Sequence, residues 1–209
     1  MSVPVLSNSA ARHVFLDRHL LSRAPSGAGK AADLAGVIGH LGFVQLDSVN
    51  TFARAHDLIL WARRQQYRPA ALGHALARDG HVFEHWTHDA AAIDITLFPH
   101  WRLKMQRDAA WLESRWKDWR RDDFTAKVDA VLRRVADDGH CTSADVGQGE
   151  ERGSGGWWDW HPSKTALEYL WRRGDLSVVR RDGFRKVYDL TERVIAPEYL
   201  NARCTPQET

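Results

Sequence analysis

Gln45 and Asp47 place an amide and a carboxylate two residues apart, directly after an apolar run that ends at Leu41-Gly42. Between them they offer a charged proton acceptor and a group that both donates and accepts hydrogen bonds. If Phe43 to Asp47 is extended, successive side chains point to opposite faces. Gln45 and Asp47 then share one face with Phe43, while Val44 and Leu46 anchor the other in a core. A short polar pair presented from an apolar scaffold is how a small site is built. It is more often the signature of a strand end and a helix cap, because Asp47 or Ser48 can cap a following helix. Spacing alone leaves both readings open.

A second concentration of chemistry lies near the C-terminus. Leu176 to Arg181 and Phe184 to Leu190 are two β-rich runs separated by Asp182-Gly183, a strong short hairpin signal. Lys164, Arg172 and Arg173 sit on or at the end of the helix predicted just before it, over Ser163 to Arg173. Arg180, Arg181, Arg185 and Lys186 surround the hairpin tip. A winged helix uses such a helix in the major groove and such a hairpin against the backbone, and its phosphate contacts set affinity without reading sequence. Exposed hairpins also carry Lys and Arg simply to discourage edge pairing.

The elements that position these residues follow from periodicity and punctuation. Helices are predicted from Ser7 to Leu21, from Asp33 to Leu41 with Gly42 as its stop, over Ser48 to Gln65 as one helix or a pair, and from Pro69 to Arg78. A strand pair follows within His81 to Ile95, as Val82 to Trp86 and Ala90 to Ile93. Pro99 to Asp122 reads as a long Trp-rich helix and Phe124 to Asp137 as another. Thr142 to Val146 reads as a capped helix start, and Gly147 to Gly156 as a Gly-rich mobile loop. The expected fold is mainly α with small β wings, α+β, as tandem winged-helix motifs. The expected parts are 1–98, carrying the Gln-x-Asp pair; a connecting helix, 99–123; a second motif, 124–196; and a polar tail, 197–209.

Composition bounds the class. The chain has 209 residues, 44% hydrophobic and 27% charged, ordinary values for a globular protein. No apolar run approaches the ~20 residues that span a bilayer, so a cytoplasmic protein without a membrane partner is expected, nucleoid-associated only through any DNA it binds. Cys141 and Cys204 have no metal-ligand spacing. A metalloenzyme using His81, His85 and His88 is a further alternative, but His85 and His88 would face opposite ways in a strand, and no Cys or second His cluster completes a set. The ten tryptophans serve either packing or base stacking, and exposed Trp would also suit an interaction module.

Taken in order, Gln45-x-Asp47 with Ser-Val-Asn50 and Ala53-Arg54, Glu84-His-Trp86-Thr-His88, Gly155-Gly-Trp-Trp-Asp-Trp160 with Pro162 and Lys164, and Val187-Tyr-Asp-Leu-Thr191 with Arg193 resemble the YcaQ-type (AlkZ-like) interstrand-crosslink repair DNA glycosylases. The resemblance implies tandem winged helices that hydrolyse the glycosidic bond of N7-alkylated purines and unhook interstrand crosslinks, acting on double-stranded DNA. It implies a monofunctional glycosylase, Gln45 and Asp47 as the catalytic pair, and no metal or organic cofactor. It also brings Asn50, Arg54 and His88 into the DNA-facing set. A non-catalytic winged-helix regulator or repair accessory is the alternative, and it leaves Gln45 and Asp47 without a task.

Family members are longer, with a third winged helix and a further domain, so the sequence is expected to be a fragment or a minimal homologue. A fragment would expose an apolar face formed by Trp157 to Trp160 with Tyr188, Val194 and Ile195, and would associate. A complete chain would be a monomer.

Overall fold

A computed structural model describes residues 5–77, 80–116 (side chains as far as 112), 124–147, 149–150 and 161–204. Among these residues the chain is α+β, with short antiparallel strands between helices. It divides into two compact units, Met1–Val82 with Thr87–Asp94, and Phe83–Trp86 with Ile95–Thr209.

The first unit opens with α1 (Asn8–Arg18), capped by Ser7, whose hydroxyl accepts from the Ala10 amide at 3.2 Å. None of its residues is buried, and the apolar spacing seen in the sequence leaves Val14 and Phe15 exposed. The next helix, α2 (Ala31–Leu41), behaves as its stripe predicts: Leu34, Val37 and Ile38 are buried and Gly42 stops it at φ +87°. Strand β1 (Phe43–Gln45) follows at once and pairs antiparallel with β3 (Ala90–Asp94), Gln45 opposite Ala91. The small side chains Ala90, Ala91 and Ala92 are buried along β3.

The predicted helix over Ser48 to Gln65 is much shorter than its pattern. Residues 46–54 are irregular, and only α3 (Ala55–Trp61) is helical. The run Asp47-Ser-Val-Asn-Thr51 supplies side chains that bond their own backbone and a β-branched pair, all of which compete with helix. The Asp47 carboxylate takes the Val49 amide at 2.9 Å. Asp47 therefore closes a turn and does not cap a helix. Val49 and Phe52, inside the predicted helix, are exposed. Next come α4 (Pro69–Ala77) and β2 (Val82–Trp86); residues 83–86 of β2 go with the second unit.

In the second unit a 3₁₀ turn at Ile95–Leu97 leads into α5 (Phe98–Trp116) and then α6 (Phe124–Asp138), whose Val128, Val131 and Val135 are buried. Thr142 to Val146 is not the helix start expected from its Thr-Ser-x-Asp pattern. Cys141–Thr142 forms strand β4, and Asp145 folds back so that its carboxylate accepts from both the amide and the hydroxyl of Thr142 at 2.8 Å. The capping residues cap a turn.

Helix α7 (Pro162–Arg173) begins one residue before its predicted start and ends as predicted, with His161 as its N-cap. Leu167, Leu170 and Trp171 are fully buried. Gly174 ends it at φ +93°, where an added Cβ would also lie 2.6 Å from the Met105 sulfur. Strands β5 (Leu176–Asp182) and β6 (Arg185–Leu190) form the hairpin. Its two connecting residues are Gly183 and Phe184, with Gly183 at φ +64°, so glycine stands at the first central position. Strand β4 joins the other side of β6, giving the order β4-β6-β5.

The helical turns α8 (Thr191–Val194) and α9 (Pro197–Leu200) end the described chain. The polar tail expected over 197–209 thus begins in a helical turn, and the Arg102 guanidinium donates to the Leu200 carbonyl. Tyr188 and Ile195, expected on an apolar outer face, are 3% and 4% exposed and belong to the core. Trp157 to Trp160 and the bulk of the Gly-rich loop lie outside the described residues.

Candidate active site

The chain leaves β1 at Gln45, and Leu46 makes one more backbone bond to β3 before the irregular run. Exposure alternates from Phe43 to Asp47: Val44 and Leu46 are buried, Phe43 and Gln45 exposed, Asp47 half-buried. The alternation predicted from sequence is therefore present, with Gln45 and Asp47 on the open side. Three bonds hold this segment. The Leu46 amide donates to the Ala90 carbonyl at 2.8 Å. The Asp47 amide donates to Nδ1 of His56 at 2.9 Å. The Asp47 Oδ1 accepts from Val49. His56 is only 6% exposed and sits in the first turn of α3. Since Nδ1 accepts, its proton resides on Nε2, which lies 4.0 Å from the Asp57 carboxylate. Asp57 is itself bonded by the Tyr67 hydroxyl at 2.7 Å.

Chemically, this is a carboxylate with one oxygen engaged by a backbone amide, next to an exposed primary amide on a rigid strand end. Such a pair can hold a water and take its proton. Asn50 is exposed nearby in sequence, Arg54 is the half-buried N-cap position of α3, and His88 is exposed. His56 was not singled out from sequence. Its nine-residue separation from Asp47 across irregular chain carries no periodic signal.

The basic residues of the hairpin divide into two kinds. Arg185 is exposed, and Arg180 pairs with Asp182 at 3.0 Å on the surface. Arg181 and Lys186, read from sequence as surface phosphate contacts, are held inside the second unit instead. Arg181 forms a two-pronged pair with Glu84, both bonds 2.7 Å, and also donates to the Phe184 carbonyl. The Glu84 side chain is 0% exposed. Lys186 donates to both oxygens of Glu168 and lies 3.5 Å above the Trp171 ring. Burial pushes the Glu168 carboxyl up, but Lys186 and the Tyr188 hydroxyl outweigh it and hold it below the usual range. The physical reason is strand alternation. Two adjacent pairs of basic residues on either side of a turn cannot all face water when one face of the hairpin is packed.

On α7, Lys164 is half-buried in the first turn, and the Arg172 guanidinium stacks 3.7 Å over the Trp86 ring. Its neighbour His85 is 2% exposed: Nδ1 accepts from the Trp101 indole at 2.9 Å and Nε2 donates to the Trp171 carbonyl at 3.0 Å. This accounts for both ring nitrogens, so His85 is a packing residue with no metal role. No group of three or more His, Cys, Asp or Glu suited to a metal exists among the described residues, and no helix among them is long and apolar enough to cross a membrane. A cleft of about 380 Å³ lies in the second unit among Arg102, Met105, Arg173, Asp175, Leu190 and Thr191, and none of the candidate catalytic residues lines it.

The family model described as DNA glycosylase AlkZ-like matches residues 38–209, most of the sequence. The chain belongs to the AlkZ-like DNA glycosylase family, whose chemistry is hydrolysis of N-glycosyl bonds and whose partner is DNA. No solved structure matches it.

Proposed function

We propose that this protein excises N7-alkylated purines from duplex DNA, leaving an abasic site, and that Gln45 and Asp47 carry the reaction. The observation that carries this reading is the three-point-anchored segment after β1, along which Gln45 and Asp47 are more open than Val44 and Leu46, in a chain whose family acts on glycosidic bonds.

Alkylation at N7 makes the purine cationic and already a good leaving group. As the N9–C1′ bond breaks, its electron pair neutralises the base, and the sugar develops oxocarbenium character. A carboxylate stabilises that charge, as in glycoside hydrolases. Water adds to C1′ and gives its proton to Asp47, while Gln45 orients the water through its amide. No Lys is required as a nucleophile on this route, which makes the enzyme monofunctional. Unhooking of crosslinks joined through N7 would follow the same bond cleavage.

The proposal includes DNA contacts from Asn50, Arg54, His88, Lys164, Arg172, Arg180 and Arg185, with Arg181 and Lys186 bracing the hairpin from inside. In each half a short strand after a helix pairs with the last strand of that half, β1 with β3 and β4 with β6. That repeated order supports reading 1–98 and 124–196 as winged-helix motifs, joined by 99–123 and followed by 197–209.

A non-catalytic DNA-binding protein is the second reading. The observation favouring it is the Asp47–Val49 bond, which gives Asp47 a purely structural use. Incubation with duplex containing a single N7-methylguanine, followed by abasic-site cleavage, separates the two. Strand scission at the lesion is expected, and its absence at saturating protein would sink the enzymatic reading.

A further inference from the structure

We infer that His56 is a positioning residue for the reaction: its imidazole fixes the backbone of Asp47 and thereby the direction of the carboxylate. This rests on the catalytic reading of Asp47. Pairing of β1 with β3 ends at Gln45, and one further ladder-like bond, Leu46 to Ala90, continues it. Amides alternate sides along a strand and β1 is an edge strand, so with Leu46 bonded to Ala90 the next amide, that of Asp47, faces away from β3 and has no strand carbonyl to bond. A half-buried amide must be satisfied somewhere, and His56 supplies the acceptor at 2.9 Å from the first turn of α3.

The consequence is geometric. Asp47 lies between two anchors, its amide on His56 and its Oδ1 on Val49, so both its backbone and one carboxylate oxygen are set. His56 is buried to 6% exposure and so moves little. It touches no reacting atom. An aspartate at the end of a strand, without the second anchor, would swing on its own backbone, and small misplacements of a catalytic group are costly.

The test exploits atom positions. The side-chain oxygen of Asn falls near the place of Nδ1, whereas Leu fills similar space without an acceptor. Single-turnover excision of N7-methylguanine, duplex Kd and thermal midpoint are measured for His56→Leu, His56→Asn and Asp47→Asn. The exchange rate of the Asp47 amide proton is followed in parallel. Expected for His56→Leu is a rate loss on the order of 10²-fold, with unchanged Kd and a rapidly exchanging Asp47 amide. His56→Asn should recover most of the rate and the amide protection.

Equal slowness of the Leu and Asn variants, or a His56→Leu variant as fast as the parent, would overturn the positioning role. If Asp47→Asn retains full rate, the catalytic assignment itself falls. The two failures are thus distinct. Should the parent excise nothing, amide protection lost in His56→Leu and kept in His56→Asn still supports the anchoring, and protection unchanged in both overturns it.

Discussion

Asp47 is the residue on which catalytic and structural uses are most easily confused, and Asp47→Asn separates them. The asparagine oxygen can still accept from Val49, so the turn survives and the thermal midpoint should stay close to that of the parent. A lost general base, by contrast, removes ~10²–10⁴-fold of the excision rate. Gln45→Ala should cost less, because a water retains other partners. Full rate in Asp47→Asn would refute the assignment. Titration offers a second residue-level test. Burial lowers the pKa of His85 to about 4 from 6.5. The folded state then binds fewer protons than the unfolded chain between these values, so His85 makes stability fall as pH drops from about 6.5 towards 4. Glu150 acts lower down. Burial pushes it up, but bonds from Lys127 and Ser163 bring it to about 2 from 4.5, so its contribution disappears as pH falls through that interval. Urea titrations across pH should show a shallower slope above pH 4.5 in His85→Gln than in the parent; an identical slope would contradict the assignment.

At the scale of elements, the hairpin β5–β6 separates affinity from stability residue by residue. Arg180→Ala and Arg185→Ala should weaken duplex binding alike for all sequences, each lost phosphate contact reducing the slope of log K against log salt by about 0.9. Arg181→Ala should instead destabilise the fold by about 3–5 kcal/mol, because it strands the buried Glu84 carboxylate. Denaturant unfolding with a salt series of binding checks both, and exchange of the two patterns would refute the division. Helix α7 and the hairpin were legible from sequence because each combines a clean period with an obligatory stop: Gly174 at positive φ for one, Gly183 for the other. The start of α3 and strand β4 were not. Their Asp, Ser, Thr and Asn residues serve caps and turns equally, and only tertiary partners decide. Likewise the Gln45/Asp47 alternation was readable from local pattern, whereas His56, Glu84 and Glu168 act across 9 to 97 residues of chain and leave no local trace.

For the whole molecule, a formal charge of +2 from 29 basic and 27 acidic residues gives little general attraction to DNA. Binding should therefore depend on a few placed cations, with a modest salt slope, and discrimination should come at the cleavage step. Comparing Kd and single-turnover rate on methylated and unmodified duplex would test this. Rates should differ far more than affinities, and a large affinity difference with equal rates would contradict it.

The strand Phe83–Trp86 has a consequence for how the chain is made. Glu84 is clasped by Arg181, and the Trp171 indole donates to the Glu84 carbonyl. The second unit is therefore discontinuous: it recruits four residues that leave the ribosome nearly a hundred positions before their partners. During synthesis this apolar strand, with a carboxylate that ends up wholly enclosed, has to wait for β5 before its charge is met. Long-range closure of this kind is slow and leaves surface open to wrong associations. A fragment begun at residue 95 would lack the counter-charge for Arg181 and the ring beneath Arg172. A second unit cut free of the rest would have to carry residues 83–86, and a break within residues 87–94 would part Glu84 from Arg181.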